Sequence, residues 1–200
     1  MSADMLTKGP AVAGERRQEI LLTAIKIIAD EGYGGLSMRA LARASDMKLG
    51  ALQYHFRTWA ELLRALVGYI ADHIRESWSE RGLDDAASVS DIAAFMLDET
   101  SSPTEVMLSD RLWPQLWAME QVEPLVSDLL EEVYAEYMEK LVDAMEAAGF
   151  ESPRGEALCL MSILEGESLF TGKGRRWEGD RALVRATILK FVEDRYGDNH

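Results

Sequence analysis

The sequence predicts an all-α protein of about nine helices, and three observations support this. Nearly every apolar stretch has helical spacing, with apolar residues three and four positions apart. Capping residues precede these stretches, and Gly or Pro residues follow them. No stretch has the strict polar–apolar alternation that indicates a β-strand. The 200-residue chain is 48% apolar and 28% charged, which is typical of a globular protein and excludes the disordered and fibrous classes.

The first 80 residues predict four helices. Gly32 is placed to end the first helix, and Ser37 to cap the second. Thr58 and Glu61 have the spacing of a capping box at the start of the fourth, which is the longest. The predicted ranges are 15–31, 37–44, about 48–55 and 58 to about 80.

Five more helices are predicted in the rest of the chain. Ser90 is the expected cap of the fifth helix, and Ser102 followed by Pro103 is the start signal of the sixth. Gly149 is expected to end the seventh, and Asp180 to cap the last. The predicted ranges are 90 to about 100, from 103 onward, 125–148, 153 to about 171, and 180 to about 196.

Charge is distributed unevenly along the chain. Residues 1–80 carry 10 Lys and Arg and 10 Asp and Glu, whereas residues 81–200 carry 11 and 25. The second part therefore accounts for the whole net charge of −14, which argues against wrapping a polyanion with the entire surface. A neutral first part remains able to contact phosphates locally, so the asymmetry suggests two functional parts.

The compartment is indicated by what the sequence lacks. The single cysteine, Cys159, excludes a disulfide scaffold and a Cys-rich zinc site, and fits a reducing compartment; we interpret it as buried packing. No apolar run approaches the roughly 18 residues that a membrane-spanning helix needs, and the first 15 residues lack the pattern of a signal peptide. We therefore predict a cytoplasmic protein with no membrane partner.

The second and third helices have the spacing of a helix-turn-helix, whose last helix lies in the major groove of DNA. Leu52 and Phe56 can anchor that last helix in the core. Its other face presents Gly50, Ala51, Gln53, Tyr54 and His55. The small residues allow close approach, Gln53 can pair with adenine, and Tyr54 and His55 can reach phosphates or base edges. An ordinary three-helix packing unit with solvated polar residues has the same spacing, so spacing alone leaves both interpretations open.

The stretch from Gly14 to Leu66 resembles the N-terminal domain of the TetR family of transcriptional repressors. The matching pieces are Ile20 and Ala24, Gly32-Tyr33, Leu36 to Arg39, Leu41-Ala42, Gly50 to Leu52, His55-Phe56 and Glu61-Leu62. The resemblance implies a flexible tail over 1–13, a DNA-binding domain over 14–74 with its helix-turn-helix at 37–56, and an effector-binding and dimerisation domain over 75–200.

Carried over by position, the family's DNA contacts fall on residues of the second and third helices. We add Thr58, because the N-terminus of the fourth helix offers N–H groups to a phosphate. The predicted DNA-binding residues are Ser37, Arg39, Lys48, Gly50, Ala51, Gln53, Tyr54, His55 and Thr58. Four positions depart from the family pattern: Asp46 replaces the turn glycine, Lys48 a Ser or Thr, Gln53 a tyrosine, and Trp59 a lysine. Asp46 is expected to adopt a left-handed conformation.

The second part contains a cluster of Met, Leu and Trp residues between positions 107 and 119. This cluster either lines an adaptable apolar pocket or is an ordinary part of the hydrophobic core. The resemblance favours a pocket for an apolar small-molecule effector. Glu165 is added because an inward-facing carboxylate could counter a cationic ligand. The predicted pocket residues are Met107, Trp113, Leu116, Trp117 and Glu165.

The segment 157–164 is apolar on all sides, so it needs cover both from its own core and from a partner. Together with the last helix it can form an isologous interface between two copies of the chain. The predicted interface residues are Leu160, Ile163, Leu164, Ile188 and Phe191.

Enzyme chemistry finds little support. His55, His73 and His200 have no metal-ligand spacing, no phosphate-binding glycine loop follows a strand, and no Ser or Cys has an evident base. We expect no enzyme activity, no metal and no cofactor. The predicted function is a homodimeric repressor that binds a near-palindromic DNA operator and is released by a small-molecule effector. The alternative is a dimeric helical small-molecule-binding protein without operator binding.

Overall fold

The computed structural model describes residues 10–83, 87–97 and 111–197. Within these residues the regular structure consists of nine α-helices and two short 3₁₀ turns, as the fold class predicts. The helices are α1 (Pro10–Glu31), α2 (Met38–Ala44), α3 (Leu49–His55), α4 (Trp59–Glu80), α5 (Val89–Leu97), α6 (Trp113–Glu120), α7 (Pro124–Ala147), α8 (Pro153–Thr171) and α9 (Arg181–Tyr196). The 3₁₀ turns lie at Tyr33–Gly35 and Glu178–Asp180.

The predicted caps of α2 and α4 are confirmed. The Ser37 hydroxyl accepts the Ala40 N–H at 3.1 Å, and the Thr58 hydroxyl accepts the Glu61 N–H at 3.1 Å. Glu61 completes the second cap differently from a standard capping box, because its carboxylate accepts the Arg57 N–H at 3.0 Å. These bonds satisfy N–H groups that would otherwise have no partner at a helix start.

Four predicted helix starts differ from the structure or lie outside the described residues. Ser90 does not cap α5, because Ser88 does: its hydroxyl accepts the Asp91 N–H at 3.1 Å, and the Asp91 carboxylate accepts the Ser88 N–H at 3.0 Å. Asp180 makes no side-chain cap, since α9 continues directly from a 3₁₀ turn. The start signal at 102–105 lies outside the described residues, and α1 begins at Pro10, before its predicted start.

Helix α4 connects the two parts of the molecule. It packs on α1 and on α7, and its first half carries the buried residues Leu62 and Leu66. There Trp78 is buried, with its ring 5.0 Å from that of Phe95 and 6.1 Å from that of Tyr137. A helix of 22 residues is about 33 Å long, so α4 is a continuous helix that joins the first three helices to the rest of the molecule.

Helix α7 is the centre of the second part, with α4, α5, α6 and α8 packed around it and α9 closing over α5 and α8. Its predicted apolar stripe is confirmed, and the opposite face is acidic and exposed. The buried residues of the stripe are Val126, Leu130, Val133, Tyr137, Leu141 and Met145. In the part of the chain that the structure describes, no helix is both long and apolar enough to span a membrane.

Candidate nucleic-acid interface and effector site

Helix α3 is held on the first part of the molecule, here called the head (α1–α3 and the first half of α4), by two side chains. Leu52 and Phe56 are both fully buried, as their spacing predicts. The Arg17 guanidinium of α1 lies 4.2 Å from the Phe56 ring centroid and donates to the His55 carbonyl at 2.7 Å. Arg17 thereby fixes the end of α3 through a cation–π contact and a charge-assisted hydrogen bond.

The turn between α2 and α3 has the conformation expected from the sequence. Asp46 has φ 52°, in the left-handed region that Asp tolerates better than most residues. The neighbouring Ser45 carbonyl accepts a hydrogen bond from the Arg16 guanidinium at 2.7 Å. Arg16 therefore fixes the turn before α3, and Arg17 fixes the C-terminal end of α3. The sequence did not predict a role for either arginine.

The predicted DNA-binding residues all lie in the head, on α2, α3 and the residues that flank these helices. All of them are exposed except His55, which is half-buried. Tyr54 projects furthest, with 81% of its surface exposed. A Cβ atom added at Gly50 would meet no atom of the protein within 4 Å. Packing therefore places no demand on this face, and another molecule can approach the α3 backbone closely.

The electrostatics of this surface separate two kinds of basic group. Among the ion pairs of the described residues, neither Arg39 nor Lys48 takes part, so both cationic groups face solvent. Burial, together with the charges of Arg16 and Arg17, lowers the pKa of His55, which keeps its imidazole neutral at pH 7. The His55 ring meets the Tyr54 ring edge-on at 5.6 Å. This geometry favours a supporting role for His55 over a charged contact with phosphate.

Three of the predicted pocket residues meet at the junction of α6, α7 and α8. The Trp117 indole N–H donates to the Tyr134 hydroxyl at 2.8 Å, and the Trp113 and Tyr134 rings lie 6.1 Å apart. The Glu165 carboxylate of α8 lies near the Tyr134 hydroxyl. Of the other two, Leu116 is fully buried in the core and Met107 lies outside the described residues.

Burial raises the pKa of Glu165 to about 7, and the hydrogen bond with Tyr134 lowers it only in part. Burial and the nearby Glu165 charge likewise raise the pKa of Tyr134. Tyr134 was missed by sequence reasoning, because its position in the α7 stripe is that of an ordinary core residue. The four side chains Trp113, Trp117, Tyr134 and Glu165 are here called the effector cluster.

A second group of contacts joins the head to α6 and α7. The Glu123 carboxylate, at the start of α7, accepts hydrogen bonds from the Tyr33 hydroxyl and, at 3.3 Å, from the Trp59 indole N–H. The Gln115 side chain of α6 accepts the Tyr33 backbone N–H at 3.4 Å. Burial and the bond to Glu123 raise the pKa of Tyr33 to about 12. Trp59, where the family pattern has a lysine, is thus engaged inside the molecule rather than toward DNA.

The predicted interface residues are distributed differently from the prediction. Leu160, Leu164 and Ile188 are buried within the core of the single chain, so they cannot form an exposed apolar face. Ile163 is partly buried and Phe191 is exposed. The prediction that Cys159 is buried is wrong, because this residue is exposed. The exposed apolar side chains of α8 and α9 are Leu158, Leu169, Phe170, Leu183, Leu189 and Phe191.

Two cavities lie away from the effector cluster, and both are lined in part by Trp78 and Lys140. The Lys140 ammonium lies 4.9 Å from the Trp78 ring. One cavity, between α4 and α7, has a volume of about 240 Å³, and the other, toward α5 and Tyr196, about 510 Å³. The smaller is below the roughly 300–1,000 Å³ of typical ligand pockets. Neither was predicted from the sequence.

An exposed short helix that presents Gln53 and Tyr54, anchored by Leu52 and Phe56 on a larger helical body, is typical of one class of protein. That class is the helix-turn-helix DNA-binding regulators. Comparison with known proteins agrees with this class. The family profile described as bacterial regulatory proteins, tetR family, matches residues 20–66.

Three similar proteins extend the comparison. The HTH-type transcriptional repressor AcnR of Corynebacterium efficiens is 39% identical over 67 residues, which cover 34% of this chain and 36% of AcnR. A Rhodococcus sp. protein described as a TetR-family transcriptional regulator superposes with a TM-score of 0.73 at 26% identity, over 90% of this chain and 98% of its own. A Saccharomonospora viridis protein, described as a transcriptional regulator in complex with choline, gives a TM-score of 0.74 at 20% identity, over 92% of this chain and 98% of its own. This last likeness shows the fold alone.

Residues 20–66 thus match the tetR-family profile, and the fold is similar to that of a solved TetR-family transcriptional regulator. Members of this family are DNA-binding transcription factors and not enzymes. The match to AcnR spans about a third of that relative's length.

Proposed function

We propose that this protein is a ligand-responsive repressor that binds a near-palindromic DNA operator as a homodimer and is released by a small-molecule effector. The observation that carries the proposal is the outward face of α3, on which Gly50, Ala51, Gln53 and Tyr54 are exposed while Leu52 and Phe56 anchor the helix. A protein of this kind acts where the genome is, which in a bacterium is the cytoplasm.

On this surface we assign base reading to Gln53 and positioning to residues at its border. Gln53 is exposed in the middle of α3, and its amide can bond bidentately to the N6 and N7 atoms of adenine. Arg39 and Lys48 offer charge to phosphates, and Ser37 and Thr58 stand at helix N-termini whose N–H groups favour anions. Gly50 and Ala51 leave room for the backbone of α3 to approach the groove.

The dimer is proposed on the exposed apolar face of α8 and α9. Leu158 and Leu169 lie on the same side of α8, because eleven residues make about three helical turns. Phe170 of α8 and Leu183 and Phe191 of α9 are also exposed. An apolar surface of this kind favours a second copy of the chain packed by two-fold symmetry. Leu158→Glu should therefore weaken the dimer, which light scattering at micromolar concentrations measures.

Release by an effector is proposed to act through α6. One side of this helix carries Trp113 and Trp117 of the effector cluster, and its Gln115 contacts Tyr33 of the head. A ligand that shifts α6 changes the contacts that orient the head, and couplings between such sites are typically about 1–3 kcal/mol. The two heads of the dimer would then no longer match successive major grooves.

Selection of bound fragments from a random DNA pool tests the proposal. The expected result is an enriched near-palindrome whose half-sites lie about 34 Å apart or somewhat more. Failure to enrich any sequence, with the dimer intact, would favour the alternative of a small-molecule-binding protein without operator binding. Trp59 is the observation behind that alternative, because it replaces a phosphate-binding lysine and bonds to Glu123 instead.

A further inference from the structure

Helix α8 carries two inward-facing glutamates two residues apart, and their surroundings differ. Glu167 is buried, and its carboxylate accepts hydrogen bonds from Arg181 at 3.1 Å, from Arg185 at 3.3 Å and from the Thr171 hydroxyl. Glu165 takes part in none of the ion pairs formed among residues 10–83, 87–97 and 111–197. Its polar neighbour is the Tyr134 hydroxyl, which is uncharged. One carboxylate is fully neutralised, and the other meets no cation in the described chain.

The aromatic rings beside Glu165 favour a positive charge. The Trp117 N–H donates to the Tyr134 oxygen at 2.8 Å, and the Glu165 carboxylate lies near that hydroxyl. The rings of Trp113, Trp117 and Tyr134 have faces with partial negative charge that attract cations. Each of these side chains, and Glu165 itself, is only partly buried, so solvent reaches the junction between the three helices.

We propose that the effector cluster binds an organic cation, a substituted ammonium with apolar groups, with Glu165 as the counter-charge and the three rings as its walls. This inference rests on the proposed effector-responsive function and specifies its ligand. It changes the expectation of a purely apolar effector.

Other ligand classes fit the cluster less well. A neutral apolar ligand would desolvate the carboxylate without supplying a partner, and an anion would be repelled by it. A hydrated metal ion needs several oxygen ligands, and no group of three or more acidic, His or Cys side chains suited to a metal is found within the described ranges. A bulky ammonium is weakly hydrated and contacts aromatic rings and a single carboxylate at once.

The test compares each of two cations with an uncharged molecule of the same shape. The probes are choline with 3,3-dimethylbutan-1-ol, and benzyltrimethylammonium with neopentylbenzene. Tryptophan quenching and calorimetry measure their binding to the full-length wild type, Glu165→Gln, Trp117→Leu and Glu132→Gln. Glu132 is an exposed glutamate of α7, so the last variant removes the same charge without touching the cluster.

We expect the wild type to bind at least one cation about tenfold to a hundredfold more tightly than its isostere. Glu165→Gln should remove most of that preference. Trp117→Leu should weaken binding of the cation more than binding of the isostere, and Glu132→Gln should leave both affinities unchanged. Equal affinities for cation and isostere, an unchanged preference in Glu165→Gln, or no cation binding at millimolar concentrations would each overturn the inference.

Operator binding separates this inference from the proposed function. If selected DNA is bound, and is released by an uncharged compound but by neither cation, the ligand class is wrong while the regulator stands. If the cations bind in a Glu165-dependent way but no DNA is selected, the cation-binding site is supported and the proposed regulatory function is wrong.

Discussion

The head and the second part of this protein keep their polar chemistry in opposite places. In the head, α3 presents Gln53 and Tyr54 to solvent, and no charged residue among those described there is buried. In the second part, Glu167 is buried within α8, and Glu165 and Tyr134 meet between helices. A site on an exposed helix depends on a local run of residues, whereas a site between helices depends on how distant segments meet. The head is therefore suited to contacting the surface of a large molecule such as DNA, and the second part to binding a small molecule.

The largest effect is expected where the second part buries a charge. Glu167→Gln leaves Arg181 and Arg185 without their shared carboxylate, so the free energy of unfolding should fall by roughly 3 kcal/mol or more in urea titrations. The matched control is Glu156→Gln, because Glu156 also joins α8 to an arginine of α9, Arg195, but at the surface. That variant should lose at most about 1 kcal/mol. Equal losses would show that burial does not distinguish the two pairs.

The second prediction concerns pH. Burial raises the pKa of Glu165 to about 7 from an ordinary value of 4.5, so the folded chain holds this proton more tightly than the unfolded chain does. Its contribution to stability is therefore lost as pH rises from 4.5 through 7. Glu165→Gln should raise the free energy of unfolding by about 1–3 kcal/mol at pH 8 and change it little near pH 4.5.

Unfolding at fixed protein concentration and several pH values measures this effect, and fixed concentration matters because a dimer is stabilised by mass action. Glu132→Gln, which removes an exposed charge from α7, should show no such pH dependence. A Glu165→Gln variant that is less stable than the wild type at pH 8 would mean that the carboxylate is neutralised in the assembled protein.

Much of the head follows from its sequence, whereas the internal site follows only in part. The Ser37 and Thr58 caps and the left-handed Asp46 are consequences of neighbouring residues, so they could be predicted. The roles of Tyr134 and Glu123 could not, because each depends on a partner from another helix.

The same limit explains the misplaced interface. An all-round apolar stretch predicts that α8 is covered on two sides but does not show which side meets its own core. Leu160 and Leu164 face inward, whereas Leu158 faces out.

A third prediction concerns the exposed charges of the head. Lys48→Ala should weaken binding to operator and scrambled DNA by similar factors. It should also make the log–log dependence of affinity on salt shallower by about one unit for each phosphate that the protein no longer neutralises. Lys26→Ala removes an exposed lysine of α1 that lies outside the predicted surface, and should leave the slope unchanged. A change of base preference in Lys48→Ala would instead show that Lys48 contacts the bases and contributes to sequence recognition.

The smallest effect is expected at the contacts that link the two parts. Glu123→Ala removes the acceptor shared by Tyr33 and Trp59, so a ligand that releases the wild type from DNA should release this variant less effectively. We expect the coupling free energy to fall by about 1 kcal/mol. Operator affinity measured with and without saturating ligand gives this value, and ligand affinity with and without DNA must give the same one. An unchanged coupling would show that the signal passes elsewhere.

The proposal that α3 reads DNA through Gln53 is tested by repeating the random-pool selection with the Gln53→Ala variant. We expect the operator enriched by the wild type to be recovered still, with preference relaxed at one symmetric pair of positions. Titration should show a cost of about 1–3 kcal/mol per half-site. An unchanged preference at every position, or a uniform loss of affinity on operator and scrambled DNA alike, would contradict a reading role for Gln53.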